Sequence, residues 1–209
     1  NYEFETGTAQ RITFGSDAPM NDSDFGIRNI HSGPVLCRGQ TELLPVAELR
    51  QKGGHDVKNV LASLAIGDAA GLDLFRMLDS LLNFEGLPHR CELVGHINGA
   101  AYINDSKATN VGASISAIES FGAGRNIILI LGGESKEGDF SLMSEAVSRN
   151  VKKVLVFGRD QELIKQALAE SAAVENYIDL SSVIEAAVRS AEVGDTVLFS
   201  PACASFDMF

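Results

Sequence analysis

Tyr102-Ile103-Asn104-Asp105-Ser106-Lys107-Ala108-Thr109-Asn110 is the stretch from which the rest of the chain can be read. An apolar, strand-like run from Ala100 to Ile103 stops abruptly at polar residues. A carboxylate (Asp105), an ammonium (Lys107) and a hydroxyl (Thr109) follow, and then a helix-compatible segment from Val111 to Phe121. A strand–loop–helix junction puts such side chains at the carboxyl edge of a sheet, where open α/β folds bind ligands. Unpaired N–H groups at the helix start add partial positive charge, and Lys107 adds a full one. The chemistry indicated is recognition of a phosphate or a carboxylate. The competing reading is an ordinary loop with Asn110 or Thr109 as the helix cap.

Two further segments weigh against the ordinary loop. Ile127 to Leu131 is a β-branched run ending in Gly132-Gly133-Glu134-Ser135-Lys136-Glu137-Gly138-Asp139-Phe140. Val197 to Phe199 is another, ending in Ser200-Pro201-Ala202-Cys203-Ala204-Ser205. Three apolar strands thus open into loops of small residues, which let a ligand approach the backbone closely. A composite site built from three strand ends is expected.

Beyond Gly86-Leu87-Pro88, helices near 111–121, 141–149, 160–170 and 181–191 alternate with strands near 127–131, 153–157, 175–178 and 195–199. This alternation predicts a largely parallel sheet with helices on both faces. Cys91–Val94 and Ala100–Ile103 around His96-Ile97-Asn98-Gly99 predict a hairpin leading in. Upstream, Val57, Val60, Leu61, Leu64 and Ala65 recur at helical spacing, with Gly71 as a stop, and a second apolar helix runs from Leu74 to Phe84. Residues 1 to about 50 read as a few strands with too few residues to close a core. Pro88 disfavours helix at Leu87, so a domain boundary is expected between residues 86 and 87.

With 209 residues, 45% of them hydrophobic, the chain can bury one good core and a smaller second one. A net charge of −11 argues against a wide nucleic-acid surface, which needs cations to neutralise phosphates. It also means that an anionic ligand must be drawn in by local cations, here Arg90, Lys107 and Lys136. No apolar run approaches the ~20 residues of a membrane span. The three cysteines, Cys37, Cys91 and Cys203, are far apart and fit a reducing compartment better than a disulfide framework or a zinc site. The four histidines form no ligand spacing with carboxylates, so no metal site is expected within the chain.

Gly86-Leu87-Pro88-His89-Arg90, Asn104-Asp105-Ser106-Lys107-Ala108-Thr109-Asn110, Leu131-Gly132-Gly133 with Lys136 and Asp139-Phe140, and Ser200-Pro201-Ala202-Cys203-Ala204-Ser205 occur in this order. Together they resemble the C-terminal part of the Mur ligases, in particular the branch that adds D-glutamate. The resemblance is dense from about His55 onward and thin before Arg50. It implies an α/β fold: a Rossmann-like, mostly parallel C-terminal domain over 87–209, preceded over 1–86 by an incomplete α/β remnant of a central ATPase domain. The Gly-x-x-Gly-Lys-Ser/Thr loop that cradles ATP phosphates in that family has no counterpart here. The chain is accordingly expected to be a fragment of a three-domain enzyme, inactive alone.

The activity implied by the resemblance is ATP-dependent amide formation in peptidoglycan precursor synthesis. D-glutamate would be added to UDP-N-acetylmuramoyl-L-alanine through an acyl phosphate, in the bacterial cytoplasm and by a monomer. ATP and Mg²⁺ are the implied cofactors, with the metal ligands outside this chain. The resemblance assigns Asn59 to adenine, although Asp56 stands where the family usually has asparagine. It assigns Arg90 and Asp105 to the nucleotide, Asp105 as a ribose acceptor, and Lys107 to both the phosphate and the incoming amino acid. It assigns Thr109, Lys136 and Ser205 to the carboxylates of D-glutamate. The alternatives are another Mur or folylpolyglutamate synthase-like ligase, or a non-catalytic module that binds a nucleotide or an amino acid.

Overall fold

The computed structural model describes residues 11–49, 54–135 and 138–204, and for 54–56 the backbone alone. The chain divides into two compact units, Asn1–Glu85 and Gly86–Phe209.

In the first unit, β1 (Phe25–Ile30), β2 (Gly33–Arg38) and β3 (Thr41–Pro45) form an antiparallel meander. Two helices follow, α1 (Gly54–Ala69) and α2 (Leu74–Asn83). Gly71, at φ 77°, ends the first helical segment, and the Asp73 carboxylate caps the second by accepting from Arg76 N–H at 3.0 Å. The strands were expected to be too few to close a core. A core forms with α1, whose Val57, Leu61, Leu64 and Ala65 lie on one stripe and pack with Phe25, Leu36 and Leu44. Leu74, Met77, Leu78, Leu81 and Leu82 of α2 pack against this cluster while only partly buried, and Phe75 is 86% exposed.

The second unit is built on a six-stranded sheet. A hairpin of β4 (Glu92–Ile97) and β5 (Ala100–Asn104) leads to α3 (Val111–Phe121) and β6 (Ile127–Gly132). A short 3₁₀ turn (Phe140–Met143) and α4 (Ser144–Asn150) precede β7 (Val151–Phe157). α5 (Gln161–Leu168), β8 (Ala173–Asn176), α6 (Leu180–Ser190) and β9 (Thr196–Phe199) complete it. The spatial order is β4-β5-β9-β6-β7-β8, parallel except for the β4–β5 hairpin.

Alternation along β6 divides the core in two, as the two-residue period of a strand requires. Ile127, Leu129 and Leu131 face the helices α3, α4 and α5, joining Ile118, Val147, Ile164 and Leu168. Ile128 and Ile130 face the other way, toward Val183, Ala186 and Ala187 of α6. Every residue of β6 is buried, as expected for a strand paired on both edges and covered on both faces. The last strand in sequence, β9, inserts between β5 and β6. The loops that follow β5, β9 and β6 therefore emerge side by side at one sheet edge.

Candidate functional site

The β5 loop is held by its own backbone. Ala108 N–H donates to Asp105 C=O at 2.9 Å, Thr109 N–H to Lys107 C=O at 2.9 Å, and Lys107 N–H to His89 C=O at 3.1 Å. Asn110, not Thr109, caps α3: its side chain accepts from Ala113 N–H at 2.9 Å. Thr109 is left exposed beside Lys107. Among the described residues Lys107 makes no ion pair, and it lines a cavity of about 720 Å³. A cation just before a helix, lining a cavity and without an ion pair among the described residues, suits an anionic ligand.

The β6 loop forms the opposite lip and needs glycine for steric reasons. Gly132 and Gly133 adopt φ 145° and 125°. A Cβ on Gly132 would lie 2.0 Å from Phe157 O, and one on Gly133 2.3 Å from Ala204 O. The turn beyond is pinned from α5's side, because Ser135 N–H donates to the Asp160 carboxylate at 2.6 Å and Asp160 N–H to Gly133 C=O at 3.1 Å. Glu134, an acidic residue in the loop, is ion-paired to Arg159 at 2.5 Å. The β9 loop closes the third side: Ser200 N–H donates to Ile130 C=O at 3.2 Å, Gly132 N–H to Pro201 C=O at 3.1 Å and Ala202 N–H to Ala108 C=O at 2.9 Å. The three loops singled out in the sequence thus form one hydrogen-bonded rim.

His89 also lines this cavity, and nothing in residue spacing marked it; its only signal was its place in Pro88-His89-Arg90. Asn104 Oδ1 accepts from Ser106 N–H at 3.1 Å, which orients the amide. Its Nδ2 therefore faces His89 Nδ1 at 3.0 Å. Below the rim the lining turns apolar, with Tyr102, Ile130, Leu180, Ile184 and the tilted ring pair Phe157–Phe199, centroids 6.3 Å apart. Burial raises the Tyr102 phenol above its ordinary pKa.

Arg90 is exposed, and its N–H closes a turn on Leu87 C=O at 3.2 Å. Asp105, read as a ribose acceptor, is turned inward: 7% exposed, it accepts from Cys91 N–H at 3.2 Å and from the Ser200 hydroxyl at 2.8 Å. Asn59 lies exposed on α1, in the first unit. Lys136 and Ser205 lie outside the described residues. Cys203 packs in the core at 1% exposure. Among the described residues no group of three or more His, Cys, Asp or Glu could hold a metal ion, and no helix is long and apolar enough to cross a membrane.

Residues 89–203 match the Mur ligase, glutamate ligase domain family. The UDP-N-acetylmuramoylalanine--D-glutamate ligase of Acinetobacter baylyi is 42% identical over 203 residues, covering 94% of this chain and 45% of that protein. The chain spans less than half the length of the curated relatives it matches. Among solved structures, the UDP-N-acetylmuramate-alanine ligase MurC of Thermotoga maritima superposes with a TM-score of 0.64 at 20% identity, over 87% of this chain and 44% of that one. The bifunctional folylpolyglutamate synthase/dihydrofolate synthase of Yersinia pestis, solved with AMPPNP and a Mn ion, gives 0.65 at 18% identity, over 88% of this chain and 43% of that one. At such identities the two structures share the fold.

Proposed function

The chain belongs to the Mur ligase family, and from that premise we propose that it is part of an ATP-dependent ligase joining D-glutamate to UDP-N-acetylmuramoyl-L-alanine. The work is peptidoglycan precursor synthesis in the bacterial cytoplasm, carried out by a monomer. The observation that carries this reading is the shared rim of the β5, β6 and β9 loops, with exposed Lys107 and Thr109 on a cavity of about 720 Å³. That volume far exceeds one amino acid, leaving room for a second group beside it.

A carboxylate acylates poorly because its leaving group would be oxide. ATP supplies the phosphoryl group that turns this oxygen into a leaving group, giving an acyl phosphate that the amine of D-glutamate attacks. Lys107 carries the charge that this chain offers to the phosphoryl oxygens and to the tetrahedral centre. Thr109, Lys136 and Ser205 hold the two amino-acid carboxylates, each of which needs a charge-assisted partner once desolvated. By family resemblance Asn59, Arg90 and Asp105 are each assigned to the nucleotide, Asp105 as a ribose acceptor. Residues 1–86 belong to the central domain and 87–209 to the C-terminal domain, with a hinge at Gly86–Arg90. Mg²⁺ would be held by residues outside this chain and would neutralise charge on the phosphoryl oxygens.

The test uses the full-length protein with ATP, Mg²⁺ and UDP-N-acetylmuramoyl-L-alanine, measuring phosphate release against a panel of amino acids. Release that depends on D-glutamate is expected, and none from the 209-residue chain alone. Preference for another amino acid would assign the chain to a sibling ligase. Absence of turnover with any would leave a binding module.

A further inference from the structure

We infer that Ser200, acting through Asp105, is a positioning residue that keeps the Lys107 loop in register with the loop after β9. Ser200, Asp105 and Ser114 form a buried polar cluster: both serines are fully buried and Asp105 is 7% exposed. The Ser200 hydroxyl lies 2.8 Å from Asp105 Oδ2 and 3.0 Å from Ser114 Oγ, and Ser114 Oγ is 3.0 Å from Ser200 C=O. Two hydroxyl protons serve these contacts, and a carboxylate only accepts. Ser200 therefore gives its proton to Asp105, where the bond is charge-assisted, and Ser114 turns its own toward Ser200.

The consequence reaches Lys107 along two routes. Asp105 Oδ1 accepts from Cys91 N–H at 3.2 Å, which fixes the turn His89–Cys91, and the carbonyl of His89 in turn accepts from Lys107 N–H at 3.1 Å. His89 and Cys91 both sit at positive φ, 65° and 49°. Backbone of that kind persists only when the surroundings hold it there. By the second route, Asp105 N–H donates to Phe199 C=O at 2.8 Å and Ala202 N–H to Ala108 C=O at 2.9 Å, so residues 105–108 and 199–202 are laced together. Ala202 is also at positive φ, 59°. The Asp105–Ser200 contact is the side-chain bond at the centre of this lacing, and it spans 95 residues of sequence.

The kinetic part of the test rests on the proposed ligase reaction; the exchange part does not. In the full-length protein, Ser200→Ala is expected to speed hydrogen exchange at the Lys107 and Ala202 amides by roughly tenfold or more, while amides of β7 are unchanged. It should lower kcat/KM for D-glutamate roughly 10- to 50-fold in the wild-type background, but less than about twofold in a Lys107→Ala background, because the residue acts through that lysine. Ser114→Ala, which leaves the Ser200–Asp105 bond in place, should cost less than about threefold. Ser200→Cys keeps the shape with a weaker donor and carries the same cycle if the alanine variant does not fold. Unchanged exchange at Lys107 and Ala202, or equal kinetic losses in the two backgrounds, would overturn the positioning role. A wild-type protein without D-glutamate-dependent turnover would remove the reaction reading and leave the exchange result to decide this one.

Discussion

Glu134 and Ala204 exchange a reciprocal pair of backbone hydrogen bonds, Glu134 N–H to Ala204 C=O at 2.9 Å and Ala204 N–H to Glu134 C=O at 3.0 Å. They form an isolated antiparallel bridge beyond the ends of β6 and β9, which are themselves parallel. The two loops curl toward one another past the sheet edge, and the bridge closes the rim of the cavity on that side.

That bridge makes Gly133 sensitive. A methyl there would meet the carbonyl oxygen of Ala204 at 2.3 Å, and φ 125° is strained for any residue with a Cβ. Gly133→Ala should destabilise the second unit by roughly 2 kcal/mol or more, combining backbone strain with loss of the bridge. Urea unfolding measures it. A change below about 0.5 kcal/mol, the range of an ordinary surface substitution, would show that the loop relaxes freely.

The two loop lysines should separate by substrate. On the proposed reading D-glutamate brings two carboxylates and Lys107 is shared with phosphate, so Lys136→Ala in the full-length protein should raise KM for D-glutamate roughly 10- to 100-fold, about 1.5–3 kcal/mol for a charged hydrogen bond. KM for ATP should move far less, whereas Lys107→Ala should damage both. Steady-state kinetics with each substrate varied provide the comparison. Equal losses for ATP and D-glutamate in Lys136→Ala would put this lysine at the phosphoryl-transfer centre instead.

Acid should weaken the first unit through Asp24. Its carboxylate accepts from Thr13 N–H at 2.8 Å, from Asn21 N–H at 3.2 Å and from Asn21 Nδ2 at 2.7 Å. The Thr13 backbone bond is the main reason its pKa is held below the ordinary value, against the opposing effect of burial. A depressed folded pKa contributes stability that is fully present above the unfolded value of about 3.9, and it is lost as pH falls through the folded one. Asp24→Asn should therefore lower the melting temperature at pH 7, and the gap from wild type should narrow below about pH 4. Parallel melting curves from pH 7 to pH 3 would mean that the carboxylate contributes nothing through its charge.

Local pattern carried much of this molecule. The run Ile127–Leu131 and the segment Val111–Phe121 were legible as strand and helix because burial on both faces and a stripe of small apolar residues leave distinct signatures. Asn104 to Asn110 was legible as a loop at the carboxyl edge of the sheet because polar residues interrupt an apolar strand just before a helix. His89 went unmarked, since a single imidazole has no periodicity; its place on the cavity depends on the amide of Asn104, fifteen residues away. The surroundings of Asp105 were not legible for a related reason, because a carboxylate in a polar loop looks the same whether it faces solvent or the interior.

The sequence by itself determined the elements, their alternation and the three loops that meet at the cavity rim, because propensity, hydrophobic period and turn residues act over a few neighbours. Only the tertiary structure decided that β9 lies between β5 and β6, for strand order is set by long-range pairing and by how helices cover the two faces. That insertion brings Ser200 to Asp105, and with it the β9 loop against the loop of Lys107. It also turns the Asp105 carboxylate into an internal acceptor, because a buried charge must take the donors that the fold brings to it.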